Sequence, residues 1–132
     1  GRPGRDVRTA QRNAQILVID DEDLFRDLAK NLLTSLNYRV HVEENGKAGV
    51  EYFRRHWREV DLVILDMVMP VMDGPETYQA MKAIDSDVRV LLASGYSING
   101  MAQELLNQGV RGFLEKPFEI EEMSTKVADA LS

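Results

Sequence analysis

The stretch from Asp61 to Gly74 (DLVILDMVMPVMDG) constrains the fold more than any other part of the chain. Its first half is a short apolar run rich in β-branched residues, which is typical of a strand buried on both faces of a parallel sheet. The run ends at Asp66, and open α/β sheets bind ligands in the crevice beyond the carboxyl ends of their strands. Pro70 cannot continue a strand, and Asp73 followed by Pro75 is typical of a helix start. We therefore predict a strand, an acidic tip, a loop and a helix.

The same alternation of strand and helix covers most of the chain. Short apolar runs predict strands at 16–19, 61–66, 88–93 and 110–114, alternating polar and apolar residues predict another at 38–42, and a segment with helical periodicity follows each of them. Five such units predict an α/β fold, a flavodoxin-like (βα)5 doubly wound sheet of five parallel strands in the order 2-1-3-4-5. The second strand alternates polar and apolar residues and is predicted to lie at an edge.

The first predicted helix has a leucine repeat at four-residue spacing. We interpret this repeat as the buried face of an amphipathic helix that ends near Asn37, with two further apolar residues widening it; the residues are Leu24, Leu28, Leu32 and Leu36, with Phe25 and Leu33.

Length and composition narrow the class of protein. The 132 residues suit one domain, predicted at 15–132, after a linker or disordered arm at 1–14 that has four Arg and one Asp but no apolar periodicity. The whole chain has a net charge of −6, so its globular part is acidic and is not expected to bind nucleic acid directly. No apolar run has the ~20 residues of a membrane span, and there is no cysteine. We expect a cytoplasmic domain without membrane contact.

Polar residues at the strand tips predict a site. Strands 1 and 3 are neighbours in this order, so Asp20 and Asp21 should converge with Asp66, and such a carboxylate cluster needs a cation to offset its charge or has to take up protons. Oxygen ligands without nearby His or Cys favour Mg²⁺, with Mn²⁺ also possible. Ser94 and Lys116, at the ends of strands 4 and 5, could bind the oxygens of a phosphoryl group.

Other kinds of site would need different residues at these positions. A nucleotide- or flavin-binding domain of the same architecture would need a glycine-rich loop after strand 1, where this chain has four acids. A haloacid-dehalogenase-type phosphatase would need a second Asp at position 68, where this chain has Val68. His41 and His56 lie far from any acid motif and are not expected to be phosphoacceptors or metal ligands. Each acid could alternatively serve only as a helix cap or a first-turn acid.

Four motifs together resemble the receiver domain of two-component response regulators over residues 15–132. They are the Asp20-Asp21 pair, the block Leu65-Asp66-Met67-x-Met69-Pro70-x-Met72-Asp73-Gly74, Ala93-Ser94, and Lys116-Pro117-Phe118. The resemblance implies that Asp66 accepts a phosphoryl group and that Asp20, Asp21, Asp66 and the backbone carbonyl of Val68 bind Mg²⁺. Ser94 and Lys116 would hold the phosphoryl oxygens, the Lys116-Pro117 bond would be cis, and Phe113 would switch with Ser94.

The resemblance also implies partners. The phosphoryl donor would be a histidine kinase or a histidine phosphotransfer protein, and the switch would change the face of the fourth helix, fifth strand and fifth helix. The chain would be a monomer, or a weak dimer through that face. The domain would not be a conventional enzyme by itself, although the parent chain could be a hybrid histidine kinase. A stand-alone regulator and a non-phosphorylated interaction module are the alternatives. Val68 and Tyr96 depart from the commonest receiver pattern.

Overall fold

The structure, a computed structural model, describes residues 13–95 and 100–132. Its elements alternate strictly along the chain: β1 (Gln15–Ile19), α1 (Asp23–Ser35), β2 (Arg39–Glu43), α2 (Gly46–His56), β3 (Val60–Asp66), α3 (Gly74–Ile84), β4 (Val90–Ser94), α4 (Gly100–Asn107), β5 (Gly112–Glu115) and α5 (Ile120–Leu131). All five predicted strands are present, although β4 and β5 begin two residues later than predicted. None of the described helices is both long enough and apolar enough to cross a bilayer.

The five strands form one parallel sheet in the order β2-β1-β3-β4-β5, which confirms the predicted fold class. β2 lies at an edge, as its alternating pattern predicted. β3 lies in the centre, and all seven of its residues are buried, as expected for a strand covered by helices on both faces. The order changes direction at β1 and β3, so the carboxyl ends of these two strands flank the crevice where a ligand is expected.

Two hydrophobic layers cover the sheet. One face packs against α2, α3 and α4 through residues that include Phe53, Tyr78 and Leu105. The other face packs against α1 and α5 through residues that include Phe25 and Met123. Successive strand residues alternate between the two layers, because side chains along a strand point to opposite faces.

The predicted buried face of α1 is confirmed at Phe25 and Leu33 but wrong at Leu24 and Leu28. Its buried residues are Phe25, Ala29 and Leu33, whereas Leu24 is 76% exposed and Leu28 is 51% exposed. Both sets recur at four-residue spacing, so the sequence pattern fits either face. The tertiary structure buries the set that contains Phe25, because the Phe25 ring packs edge-on against Phe118 with ring centroids 5.7 Å apart.

The start of α3 fixes the loop that follows β3. Asp73 accepts a hydrogen bond from the backbone N–H of Glu76 at 3.0 Å, and the Glu76 side chain accepts one from the N–H of Asp73 at 3.2 Å, which forms a capping box. Gly74 lies so close to β3 that a Cβ atom there would be 2.8 Å from the carbonyl oxygen of Asp66. This glycine therefore lets α3 begin directly against the acidic tip of β3.

Candidate functional site

Three carboxylates meet at the carboxyl ends of β1 and β3. Asp20 follows β1, Asp21 comes next, and Asp66 ends β3; one oxygen from each lies within 4.8 Å of the others. The parallel register places Ile19 beside Leu65, so the two strand tips lie at the same height. Asp20 is fully buried and Asp66 is 6% exposed, whereas Asp21 is open to solvent. The predicted convergence of these three acids is present in the structure.

Lys116, just after β5, supplies a cation to this cluster. Its Nζ lies 2.7 Å from Oδ2 of Asp20, 2.8 Å from Oε1 of Glu22 and 3.9 Å from Oδ1 of Asp66. The ammonium also lies 4.3 Å from the ring centroid of Phe25, a distance at which a cation and an aromatic face attract each other. Lys116 is thus held by groups from both the β1 tip and the start of α1.

The pocket raises the pKa of its central acid. Burial, followed by the negative charge of Asp20, raises the pKa of Asp66 from 3.8 to about 7, and Lys116 only partly opposes this effect. Burial also raises the pKa of Asp20, against the hydrogen bond from Lys116. For Lys116 burial works against the charged form, yet its hydrogen bonds to Asp20 and Glu22 raise its pKa. Asp66 is therefore a carboxylate whose charge is poorly compensated by the protein.

The donor set fits a hard divalent cation. Within the described part of the chain, Asp20, Asp21 and Asp66 are the group of acidic or histidine side chains that lie close enough together to hold a metal ion. All three offer carboxylate oxygens, the ligands that Mg²⁺ prefers. The backbone N–H of Val68 approaches Oδ1 of Asp66 at 3.4 Å, so the loop curls back over the acid. The role of the Val68 carbonyl as a ligand stays a prediction.

The ends of β4 and β5 complete the site. Ser94 is 3% exposed, and its carbonyl oxygen accepts a hydrogen bond from the backbone N–H of Lys116 at 2.7 Å. The Lys116-Pro117 peptide bond is cis, as predicted. Phe113 is 7% exposed and belongs to the core layer that contains Ala102 of α4. Tyr96, the other predicted departure from the common pattern, lies outside the described residues.

Sequence reasoning missed three residues around Lys116 and Asp20. Glu22 was noted only as one of four consecutive acids, and Phe25 only as a core residue. The guanidinium of Arg26 donates a hydrogen bond to the carbonyl oxygen of Asp20 at 2.6 Å and forms an ion pair with Asp23. The spacing of Asp23 and Arg26 is a helical i, i+3 pair that the sequence does show. The Glu22–Lys116 contact spans 94 positions and has no local signal.

Comparison with known proteins identifies the family. The family described as "Response regulator receiver domain" matches residues 16–128. The chain belongs to this family. As a receiver, it is similar to the chemotaxis protein CheY of Bacillus subtilis, with 30% identity over 89% of this chain and 98% of that protein. It is 34% identical to the sensor kinase CckA of Brucella abortus over 90% of this chain, although the receiver spans only 13% of that kinase.

Solved structures agree with the family assignment. A response regulator receiver domain protein from Clostridium thermocellum has a TM-score of 0.84 and 28% identity, and the match covers 89% of this chain and 94% of that one. The response regulator TrrA of Thermotoga maritima, solved in complex with Mg²⁺ and beryllium fluoride, has a TM-score of 0.79 and 30% identity, over 89% and 99% of the two chains.

Proposed function

We propose that this receiver domain accepts a phosphoryl group on Asp66 from a phosphohistidine, with Mg²⁺ held by Asp20, Asp21 and Asp66. The observation that carries the proposal is the place of Asp66 at the tip of the central strand, within reach of two more carboxylates and a lysine ammonium. A carboxylate in this setting is a nucleophile whose charge a bound cation would balance. The complex of TrrA with Mg²⁺ and beryllium fluoride supports the same role for the metal here.

The transfer itself needs little covalent machinery from the protein. A carboxylate oxygen of Asp66 forms the new P–O bond as the P–N bond to the donor histidine breaks, and the electron pair of that bond stays on the imidazole nitrogen. Lys116, 3.9 Å from Asp66, is placed to donate a hydrogen bond to a phosphoryl oxygen. Bound Mg²⁺ would neutralise charge on the phosphoryl group. Catalysis is then mainly positioning and charge stabilisation.

Phosphorylation of the purified domain tests this proposal. The protein is incubated with acetyl phosphate and Mg²⁺, and the acid-labile aspartyl phosphate is detected by mass spectrometry or by Phos-tag gel electrophoresis. We expect one phosphoryl group on the wild type and none on Asp66→Asn. Labelling that persists in Asp66→Asn, or a wild type that remains unlabelled when Mg²⁺ is saturating, would refute the assignment.

The response to phosphorylation is proposed to involve Ser94 and Phe113. A phosphoryl group adds about −1.5 to −2 charges and three acceptor oxygens, which attract the hydroxyl of Ser94. Phe113 lies in the adjacent strand and packs in the layer of α4, so movement of Ser94 can be passed to the face of α4, β5 and α5. NMR spectra with and without beryllium fluoride test this: the ring signals of Phe113 should shift in the wild type and stay in place in Ser94→Ala.

The donor protein must cover the rim of the pocket. A groove of about 460 Å³ adjoins Lys116, and its apolar lining includes the exposed Leu24 and Leu28 of α1. We place the docking helices of a histidine kinase or histidine phosphotransfer protein on this groove. Leu24→Glu should slow phosphotransfer from a purified histidine phosphotransfer protein but leave labelling by acetyl phosphate unchanged, because the small donor does not dock. Equal loss with both donors would contradict this placement.

The parent protein is proposed to be a hybrid histidine kinase in the cytoplasm. The similarity to the sensor kinase CckA supports this proposal, whereas the full-length match to CheY favours a stand-alone regulator. An immunoblot of the native protein with an antibody to this domain separates the two, because a hybrid kinase is several times heavier than 15.0 kDa. A weak dimer through the face of α4, β5 and α5 stays a prediction, which sedimentation-velocity analytical ultracentrifugation can test.

A further inference from the structure

The ammonium of Lys116 donates its two hydrogen bonds to acids other than Asp66. Its ammonium has three N–H groups, and the contacts at 2.7 Å to Asp20 and 2.8 Å to Glu22 take two of them. Asp66 lies at 3.9 Å, an ion-pair distance that is too long for a hydrogen bond. Only one N–H of the ammonium is left for a phosphoryl group on Asp66, so a second hydrogen bond to that group requires Lys116 to give up Asp20 or Glu22.

The two acids that hold Lys116 differ in their surroundings. Asp20 is fully buried and is one of the three carboxylates that fit a metal ion. The Glu22 side chain is 61% exposed and lies on the rim of the pocket. Water can therefore replace Lys116 at Glu22 at little cost, whereas a buried carboxylate depends on its protein partner.

Glu22 lies at the start of α1, but its side chain does not cap the helix. Glu22 is the N-cap residue of α1, a position where Ser, Thr, Asp and Asn commonly accept a hydrogen bond from the first turn. Its side chain makes no such capping bond and reaches Lys116 instead. Its backbone N–H donates to Oδ1 of Asp20 at 2.9 Å, so Glu22 contacts both members of the buried ion pair.

We propose that Glu22 is a positioning residue that holds Lys116 toward the rim in the unphosphorylated receiver and competes with the phosphoryl oxygens for it. This inference rests on the proposed phosphoacceptor function of Asp66. A phosphoryl group offers three acceptor oxygens and close to two negative charges, so it takes the ammonium from the partly exposed Glu22 rather than from buried Asp20. Glu22 thereby lowers the affinity of the pocket for a phosphoryl group without blocking it.

The test measures the affinity for beryllium fluoride, a phosphoryl mimic, at saturating Mg²⁺ by NMR titration of the wild type and Glu22→Gln. Loss of one partly exposed, charge-assisted contact should tighten binding about two- to six-fold. A gain in affinity is not what a damaged fold produces. The side-chain signals of Lys116 should also shift in Glu22→Gln before beryllium fluoride is added, since the ammonium has lost one partner.

Asp27→Asn is the matched control. It removes one exposed acid from the same helix and leaves both hydrogen bonds of Lys116 in place. We expect its affinity for beryllium fluoride to match that of the wild type. If Glu22→Gln binds beryllium fluoride no more tightly than the wild type, or if Asp27→Asn tightens binding to the same extent, the proposed role of Glu22 is overturned. The phosphoacceptor proposal would not be affected by either result. A wild type that binds no beryllium fluoride would overturn the phosphoacceptor proposal together with this one.

Discussion

Strand β3 carries a buried aspartate near each end, and the two are placed very differently. Asp61 is 1% exposed, and its Oδ2 accepts a hydrogen bond from the backbone N–H of Gln15 at 2.9 Å. Asp66 is 6% exposed, accepts a long hydrogen bond of 3.4 Å from the backbone N–H of Val68, and lies beside two other carboxylates. Two aspartates of similar burial in one strand therefore have very different surroundings. Asp66 is distinctive because it lies at the carboxyl end of the strand, where the change of strand order opens a crevice and other acids converge.

The largest expected difference between the two ends is in phosphorylation. Asp61→Asn should still be labelled by acetyl phosphate and Mg²⁺, because Asp61 lies at the opposite end of β3 from the carboxylate cluster. Asp66→Asn should lose labelling completely, since an amide replaces the proposed carboxylate nucleophile. Quantitative Phos-tag electrophoresis of both variants measures this. A folded Asp61→Asn protein that cannot be labelled would show that the two ends are not independent.

The same substitution should change stability in opposite directions at the two ends. At pH 8 without metal, Asp66→Asn removes a buried charge that Lys116 only partly offsets, so the free energy of unfolding should rise by about 1–3 kcal/mol. Asp61→Asn weakens a charge-assisted hydrogen bond to Gln15 and should lower the free energy of unfolding by about 1–3 kcal/mol. Urea denaturation followed by circular dichroism gives both values. Two changes of the same sign would contradict the comparison.

An added methyl group should disturb the Asp66 end alone. In Gly74→Ala the new Cβ atom would lie 2.8 Å from the carbonyl oxygen of Asp66, which is too close, so the start of α3 has to shift. We expect a loss of stability of about 1–3 kcal/mol, as for other overpacked sites, and a weaker affinity for Mg²⁺. Thermal melts and Mg²⁺ titration measure the two effects. Unchanged Mg²⁺ affinity would show that the loop position does not control the carboxylates.

The raised pKa of Asp66 predicts how stability depends on pH. Between pH 3.8 and about 7 the folded protein keeps a proton on Asp66 that the unfolded chain has lost, so the free energy of unfolding should fall as pH rises through this window. Above about pH 7 this contribution should level off, and saturating Mg²⁺ should restore stability there. The difference between the wild type and Asp66→Asn, from urea denaturation at each pH, isolates this residue. A difference that is constant with pH would exclude the raised pKa.

The smallest expected effect concerns the loop that follows Asp66. Val71 has a φ of +70°, a left-handed conformation that β-branched residues disfavour, and its side chain is 94% exposed. Val71→Gly should relieve this strain and raise the free energy of unfolding by about 0.5–1 kcal/mol. Val68→Gly, in the same loop at a position without a positive φ, is the control and should not stabilise the protein. Chemical denaturation of both variants tests the difference.

Local patterns in the sequence were enough to predict most of the fold. Short apolar runs predicted four of the strands, because a strand buried on both faces leaves a nearly uninterrupted apolar signal, and alternation predicted β2. Strand order followed from the number of units and from the edge character of β2. The face of α1 could not be predicted in this way, because its leucine repeat and the Phe25, Ala29, Leu33 set have the same spacing. The rings of Phe25 and Phe118, far apart in sequence, decide which set is buried.

By itself the sequence determined that Asp20, Asp21 and Asp66 lie at the carboxyl ends of strands and that Ser94 and Lys116 do so as well. Parallel strands end at one edge of a sheet, so this local information was enough to predict that the acids converge. Only the tertiary structure decided that Lys116 binds Asp20 and Glu22 more closely than Asp66, and that Asp61 is held by the N–H of Gln15. Those contacts depend on distances of a few ångströms between residues up to 96 positions apart, which no local pattern encodes.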